Sequence, residues 1–319
     1  MQKENNISIS LVIPIYNENQ NINLLNDKIF EVIKYNNFTN YEILYINDGS
    51  DDDSGSELNK LAEKNERIKV IHLQRNYGQT AALSAGIEEA IGEIIITLDG
   101  DLQNDPADIP KLLKELNSGF DVISGWRKKR RDKMFTRIIP SKIANWLISM
   151  ISGVRLHDYG CTLKAYRASI IKDIGLYGEM HRFIPIFASW QGGKIKELEV
   201  KHHPRKFGQT KYGINRTLRV ISDLILIKFM DKYSMNPIHL FGGFGILNFF
   251  LSIIAFLFMI YFKYWGGKSF VETPLPQLVV LFFLVGILSV FMGFIAEILM
   301  RTYYESQNKK IYQIRKIIN

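Results

Sequence analysis

The sequence predicts an α/β domain on a mostly parallel sheet, followed by membrane-crossing helices. Three observations carry this. Apolar, β-branched runs alternate with segments of helical spacing at short intervals. Each of these runs ends in a polar cluster. Two long apolar runs lie near the C-terminus.

Ile7 to Ile15 reads as a first buried strand, ending in Pro14-Ile15-Tyr16-Asn17-Glu18. Residues 21–35 have helical spacing, with Leu24, Leu25, Ile29, Val32 and Ile33 apolar. Tyr41 to Asn47 is a second strand, ending in Asp48-Gly49-Ser50-Asp51-Asp52. A short polar helix over 56–65 leads to a third strand, Ile68 to Leu73, and to Arg75-Asn76-Tyr77-Gly78-Gln79. A helix over 80–91 stops at Gly92, which suits a C-cap. The next strand opens at Ile94 and runs into Asp99-Gly100-Asp101-Leu102-Gln103. In parallel α/β sheets ligands bind beyond the carboxyl ends of the strands. The four polar clusters are therefore expected to converge on one crevice.

Asp99 and Asp101 stand on a turn directly after a strand, at a spacing that lets both reach one divalent ion. Hard oxygen ligands suit Mg²⁺ or Mn²⁺, usually shared with substrate phosphates. An ordinary acidic turn is the competing reading.

The formal net charge of +8 is compatible with nucleic acid, anionic lipid or phosphate-bearing substrates. A single cysteine, Cys161, rules out an internal disulfide and fits a reducing compartment. No signal peptide is visible at the start. There is no G-x-G-x-x-G after the first strand and no G-x-x-x-x-G-K-[ST], which argues against dinucleotide-dependent hydride transfer and P-loop chemistry. No H-E-x-x-H or paired C-x-x-C argues for zinc.

A strand at 121–124 leads into a basic segment with six cations in the seven positions from Arg127 to Lys133. Without interleaved aromatic residues beyond Trp126, single-strand stacking is not favoured. Residues 141–153 carry a stripe of Ile143, Trp146, Leu147, Met150 and Ile151, which fits a core-facing helix or an interfacial one. Residues 214–230 place Arg216, Arg219 and Asp223 on one face and Ile214, Leu218, Ile221 and Ile225 on the other. Arg205 and Lys211 sit in a loop after a strand, and their cationic groups suit pyrophosphate oxygens. Scattered His181, His202 and His203 lack a ligand spacing. Residues 238–262 and 275–300 are each long enough to cross a hydrocarbon core.

Taken together, Pro14-Ile15-Tyr16-Asn17-Glu18, Asn47-Asp48-Gly49-Ser50-Asp51-Asp52 and Asp99-Gly100-Asp101 resemble the inverting GT-A glycosyltransferases of the large family 2 group. The segments 157–167 (His-Asp-Tyr-Gly-Cys-Thr-Leu-Lys-Ala-Tyr-Arg) and 178–185 narrow this likeness. So does His202-His203-Pro204-Arg205 with Gly208, Lys211 and Tyr212. They resemble the polyprenyl-phosphate glycosyltransferases, which include dolichyl-phosphate mannose synthases and bacterial GtrB-type undecaprenyl-phosphate glucosyltransferases. The resemblance covers nearly the whole chain. It departs at Asn47, where many relatives carry the first Asp of a pair, and this leaves Asp48 as the nucleotide contact.

The resemblance implies a GT-A domain over 1–213, a juxtamembrane amphipathic helix over 214–236, two spans within 237–300 and a basic tail over 301–319. It implies inverting transfer of a sugar, glucose first, from a nucleotide-diphosphate sugar, most simply UDP-linked, to undecaprenyl phosphate. Mannosyl or N-acetylhexosaminyl transfer is the alternative. Pro14, Tyr16, Glu18, Asp48 and Asp99 would bind the nucleotide, with Asp99, Asp101 and Gln103 at the metal. Arg127, Arg131, Arg205 and Lys211 would bind phosphates, and Asp158, Asp101 and Arg127 would be catalytic. Because the acceptor phosphate has a second pKa of about 6, Asp158 has little proton to remove and can act by orienting groups.

A processive polysaccharide synthase should also carry a Q-x-x-R-W-type motif, which is not present. A non-enzymatic membrane-binding module would not explain the Asp-Gly-Asp turn. The tail holds Arg301, Lys309, Lys310, Arg315 and Lys316 against Glu305, so the positive-inside bias places both termini and the catalytic domain in the cytoplasm, at the plasma (inner) membrane. The expected partners are a nucleotide sugar, polyprenyl phosphate and the lipid bilayer, and no nucleic acid. Oligomeric state is left open, a homo-oligomer included.

Overall fold

The computed structural model describes residues 8–128, 145–146, 148–150, 152–172, 174, 176, 180–205, 207, 238–306 and 312–319. They fall into two compact units, one of residues 1–224 with 310–319 and the other of residues 225–309.

The first unit is built on an eight-stranded sheet. Its strands are β1 (Ile9–Ile15), β2 (Tyr41–Asn47), β3 (Ile68–Leu73), β4 (Ile94–Thr97), β5 (Val122–Trp126), β6 (Lys164–Arg167), β7 (Ile195–Glu199) and β8 (Ile314–Ile318). Their order is β7-β5-β6-β4-β1-β2-β3-β8. β4, β1, β2 and β3 are mutually parallel, with Ile9 opposite both Tyr41 and Ile94. β6 runs antiparallel between β4 and β5, and β7 lies parallel to β5. Order and direction together make the sheet mostly parallel, as the alternating pattern predicts.

The central strands are buried on both faces because helices cover both. On one face α1 (Asn19–Tyr35) and α2 (Ser54–Lys64) bring Ile22, Leu25, Ile29, Ile33, Leu58 and Leu61 against Leu11, Ile13 and Ile43. Burying each such Ile or Leu side chain contributes about 1.5–3 kcal/mol. On the other face α3 (Gln79–Glu89) packs against β1 and β2 through the small residues Ala81, Ala82 and Ala85. α4 (Ile109–Asn117) buries Leu112, Leu113 and Leu116 beside β5 and β6. Further along, α5 (Ile184–Trp190) buries Ile184, Ile186 and Phe187.

Three sequence expectations are corrected. Gly92 does not cap α3, which ends at Glu89 and is followed by an extended Ala90 (ψ 134°). Gly92 instead lies so close to Ser10 that a Cβ would stand 2.7 Å from the Ser10 nitrogen. In the 141–153 stretch Ile148 is buried while Trp146 and Met150 are 63% and 60% exposed. Of the stripe, Trp146 and Met150 lie among the described residues and both face outward, against the core-facing reading for these two. The basic tail, finally, contains a strand. β8 pairs antiparallel with β3, with Val70 opposite Ile318 and His72 opposite Lys316. Tyr312 donates to Glu88 (2.8 Å), and the Asn319 amide donates to the carbonyls of Ala62 (2.7 Å) and Ile68 (3.1 Å).

The second unit is a helical hairpin, α6 (Ile238–Tyr264) and α7 (Leu275–Ser306). Ser252 donates to the Val279 carbonyl (2.9 Å), and the rings of Phe249 and Phe283 meet at 5.7 Å. Both helices are long and apolar enough to cross a membrane, with mean hydropathies of 2.3 and 2.9. Their apolar windows are only 22% and 11% buried, which a soluble core helix would not tolerate. The stretch 214–236, expected to be an amphipathic helix, lies outside the described residues.

Candidate active site

The carboxyl ends of β1, β2, β3 and β4 carry polar turns that bond to one another. After β1 the chain turns at Asn17, held in the left-handed region (φ 53°). The Asn17 amide donates to Ser50 Oγ (3.0 Å), its side-chain oxygen accepts from the Asp51 amide (2.9 Å), and the Glu18 amide donates to Ser54 Oγ (2.9 Å). Tyr16 donates to Asp51 at 3.5 Å, at the limit of hydrogen bonding. Asp48 is buried and accepts from the backbone of Tyr77 (2.8 Å) and Gly78 (2.9 Å), so it ties the turn after β2 to the turn after β3. Burial raises its carboxyl above the ordinary range against the pull of those two amides. Asn47 accepts from the Ser50 amide and donates to His72, an anchoring role inside the same turn.

Asp99 and Asp101 follow β4. Gly100 between them lies against the end of β1, where a Cβ would strike the Ile15 side chain and come within 3.3 Å of the Pro14 carbonyl. Glycine therefore lets the turn seat directly on β1. Leu102 is buried in the left-handed region (φ 61°), a conformation that costs a non-glycine residue on the order of 1 kcal/mol or more. Gln79 donates to Asp99 Oδ1 (2.8 Å) and Thr162 to Asp99 Oδ2 (2.6 Å). Burial, then the charge of Asp101, push the Asp99 carboxyl up to about 6. Asp101 accepts from the Gln103 amide (3.1 Å) and from Arg205 Nη2 (2.8 Å).

Two carboxylates crowded on one turn, one of them raised by its neighbour's charge, fit a hard divalent cation. No cluster of three or more His, Cys, Asp or Glu able to hold a metal occurs among the described residues. The donor set therefore suits Mg²⁺ or Mn²⁺ completed by phosphate and water oxygens, not an all-protein cage. Gln103, expected as a third ligand, is held by its backbone: its main-chain N–H donates to Asp101 Oδ1 (3.1 Å) and its main-chain carbonyl accepts from the His203 N–H (2.8 Å).

On the other side of the crevice Arg127, at the end of β5, forms a two-pronged pair with Asp158: Nε to Oδ2 at 2.7 Å and Nη2 to Oδ1 at 2.9 Å. Burial opposes the guanidinium charge, but Asp158 outweighs it and holds Arg127 above its ordinary value. Glu197 on β7 accepts from the amides of His157 (2.8 Å) and Asp158 (2.9 Å) and fixes the backbone that presents the carboxylate. His157 stacks on Trp126, their centroids 4.4 Å apart. Lys164, fully buried on β6, donates to the carbonyls of Tyr159 (3.2 Å) and Cys161, and burial lowers its pKa to about 8.

The structure thus brings Pro14, Tyr16, Glu18, Asp48, Asp99, Asp101 and Arg205 to one edge, with Arg127 and Asp158 on the antiparallel side. Arg131 and Lys211 lie outside the described residues. His181 is buried against Thr80 (2.7 Å), and burial holds it well below its ordinary pKa. Gln79, Thr162, Lys164 and Glu197 gained no role from the sequence. The first three lie within quoted motifs, so their positions were visible but their partners were not. Glu197 carries no local signal at all, since it meets residue 158 only through the β5–β7 pairing.

Comparison with known proteins follows this geometry. Residues 10–175 match the family described as glycosyl transferase family 2. Dodecaprenyl-phosphate galacturonate synthase of Rhizobium johnstonii is 41% identical, over 98% of this chain and 94% of its own length. Undecaprenyl-phosphate 4-deoxy-4-formamido-L-arabinose transferase of Photorhabdus laumondii is 35% identical, over 97% and 94%. Among solved structures, glucosyl-3-phosphoglycerate synthase from Mycobacterium tuberculosis with Mn²⁺, UDP and phosphoglyceric acid gives a TM-score of 0.55 at 16% identity. The match covers 70% of this chain and 78% of that one. The parallel core with its antiparallel flank is the GT-A fold, and the chain belongs to glycosyl transferase family 2.

Proposed function

We propose that the chain transfers a sugar, with inversion, from a nucleotide-diphosphate sugar to the phosphate of a long polyprenol. The observation that carries this reading is the meeting of two subsites at one crevice. Asp99 and Asp101 form a carboxylate turn suited to a metal–diphosphate, and Arg127, oriented by its two-pronged pair with Asp158, keeps further N–H groups for a second phosphate. The two relatives named for polyprenyl-phosphate transfer, each matched over nearly the full chain, support the lipid acceptor.

The acceptor phosphate oxygen attacks the anomeric carbon and the nucleoside diphosphate leaves from the opposite face. Asp99 and Asp101 would hold Mg²⁺ or Mn²⁺, which when bound would supply Lewis-acid stabilisation of the departing diphosphate. Gln79 and Thr162 hold Asp99 in place for that ion. Tyr16, Glu18 and the turn governed by Asp48 face the nucleoside, and Pro14 seats the Asp-Gly-Asp turn. Arg127 binds the acceptor phosphate, with Arg131 and Lys211 as further cations for phosphate. Asp158 aims Arg127 through the two-pronged contact. Because the acceptor is mostly dianionic at pH 7, Asp158 acts by positioning and not as a base.

The relatives are named for galacturonate and 4-deoxy-4-formamido-L-arabinose, so a uronic or amino sugar leads as the transferred group. Glucose, the first expectation from sequence, becomes the comparison, with mannose and N-acetylhexosamine behind it. The protein is read as an inner-membrane enzyme. That β8 belongs to the same sheet as β1 supports reading the N-terminal domain and the tail on one side of the membrane. The basic tail supports the cytoplasm as that side. A homo-oligomer is neither required nor argued for by these contacts.

Incubating purified protein with undecaprenyl phosphate and a panel of UDP-sugars, UDP-galacturonate and UDP-glucose among them, should give one favoured lipid-linked sugar. Absence of any lipid-linked product across the panel, with metal present, would count against the reaction. For Asp158→Asn, transfer should fall by about 100-fold or more while donor binding stays near wild type. Its residual activity should still rise with pH through about 6, following acceptor ionisation. Loss of an enzyme-specific acidic limb in this variant, with the acceptor limb unchanged, would make Asp158 a base. A cysteine placed at Asn319 should resist an impermeant thiol reagent added outside intact cells, and its labelling there would reverse the orientation.

A further inference from the structure

Arg205 stands at the end of a segment fastened along the residues that follow the Asp-Gly-Asp turn. The Lys201 amide donates to Asp108 Oδ2 (2.6 Å), the His203 amide to the Gln103 carbonyl (2.8 Å), and His203 Nε2 meets Asp105 Oδ2 at 3.1 Å. Asn104 and His202 form a β-bridge between the two stretches. From this mount Arg205 Nη2 reaches Asp101 Oδ2 at 2.8 Å and Glu18 Oε1 at 3.5 Å. Its side chain is 20% exposed and that of Asp101 11%, so the contact is poorly screened by water.

We infer that Arg205 is an internal counter-cation that competes with the divalent ion for Asp101, and that the donor diphosphate relieves this competition by drawing the guanidinium away. The inference rests on the metal reading given under Proposed function. A guanidinium and a divalent cation cannot share one carboxylate oxygen without strong repulsion between them. A diphosphate offers Arg205 more negative charge than a single carboxylate and the oxygen spacing that a guanidinium fork matches. Donor and metal then assist each other, and linkage makes the assistance equal in both directions. The metal is held weakly by the protein alone and firmly once the diphosphate is present. If Arg205 were merely a strut for the 201–205 segment, removing it would loosen the turn and weaken metal binding. The direction of the change therefore separates the two roles.

The test uses full-length protein in detergent and Mn²⁺ alone, with free ion followed by electron paramagnetic resonance. Arg205→Met should bind Mn²⁺ at least about fivefold more tightly than wild type without nucleotide. Arg205→Gln, measured beside it, should shift the same way, with circular dichroism and thermal melting confirming that the variants are folded. Adding UDP should improve Mn²⁺ affinity less in the variants than in wild type. Equal or weaker Mn²⁺ binding by both variants, while UDP still recruits the ion to wild type, would overturn the competition. If wild type bound no Mn²⁺ with or without UDP, the metal reading itself would fall, and the competition with it.

Discussion

The desolvation of carboxylates at one sheet edge is the constraint on which the rest of this structure depends. Asp48, Asp101 and Asp158 are buried, and Asp99 is largely covered. A buried carboxylate is tolerated only when hydrogen bonds or opposite charge compensate it. Each of the four has a different compensation. Asp48 takes two backbone amides, Asp158 the Arg127 fork, Asp101 the Arg205 guanidinium, and Asp99 two neutral donors. Asp48 and Asp99 both lack a cation in direct contact, but only Asp99 has a second carboxylate, Asp101, crowding it from the same turn. That crowding of two carboxylates is what suits the turn after β4 to the metal proposed for it. Asp48 and Asp158 are structural ties that hold the crevice in one shape. Breaking a buried ion pair such as Arg127–Asp158 by removing one partner costs about 3–5 kcal/mol, and that figure measures the stranded charge and not a net gain from the pair.

The positions of these groups follow from topology. Parallel β4, β1, β2 and β3 deliver three turns and the Asp-Gly-Asp corner to one edge, and the helices between them keep the strands buried. The antiparallel insertion of β6 between β4 and β5 brings Thr162 back to Asp99 and places Asp158 beside Arg127. The two halves of the crevice, the Asp99–Asp101 turn and the Arg127–Asp158 pair, are therefore joined through the 158–164 stretch, where Lys164 gathers the carbonyls of Tyr159 and Cys161.

Much of this was legible in the sequence because it is local. β-branched runs such as Ile94-Ile95-Ile96, helical stripes such as Leu25-Ile29-Ile33, and polar clusters at strand ends all report on near neighbours along the chain. β6 was not legible, because Lys164-Ala165-Tyr166-Arg167 is short, lies within a motif rich in polar residues and is a strand only by virtue of its partners. β8 was hidden for a related reason: its cations read as a tail, and only the free edge of β3 makes it a strand. The outward Trp146 could not be told from a core position, since periodicity gives a stripe but not the side it faces. Glu197 and the Arg205–Asp101 contact are products of tertiary pairing across many residues and leave no periodic trace.

The central claim is that the carboxylate turn after β4 holds the metal–diphosphate on which sugar transfer depends. The most direct measurement is transfer by Asp101→Asn, a substitution that keeps the side-chain shape and removes the charge. With saturating donor, acceptor and Mn²⁺, transfer should fall by about 100- to 1,000-fold or more, while the protein stays folded and in the membrane fraction. Wild-type rates from this variant, undiminished by a chelator, would contradict the assignment.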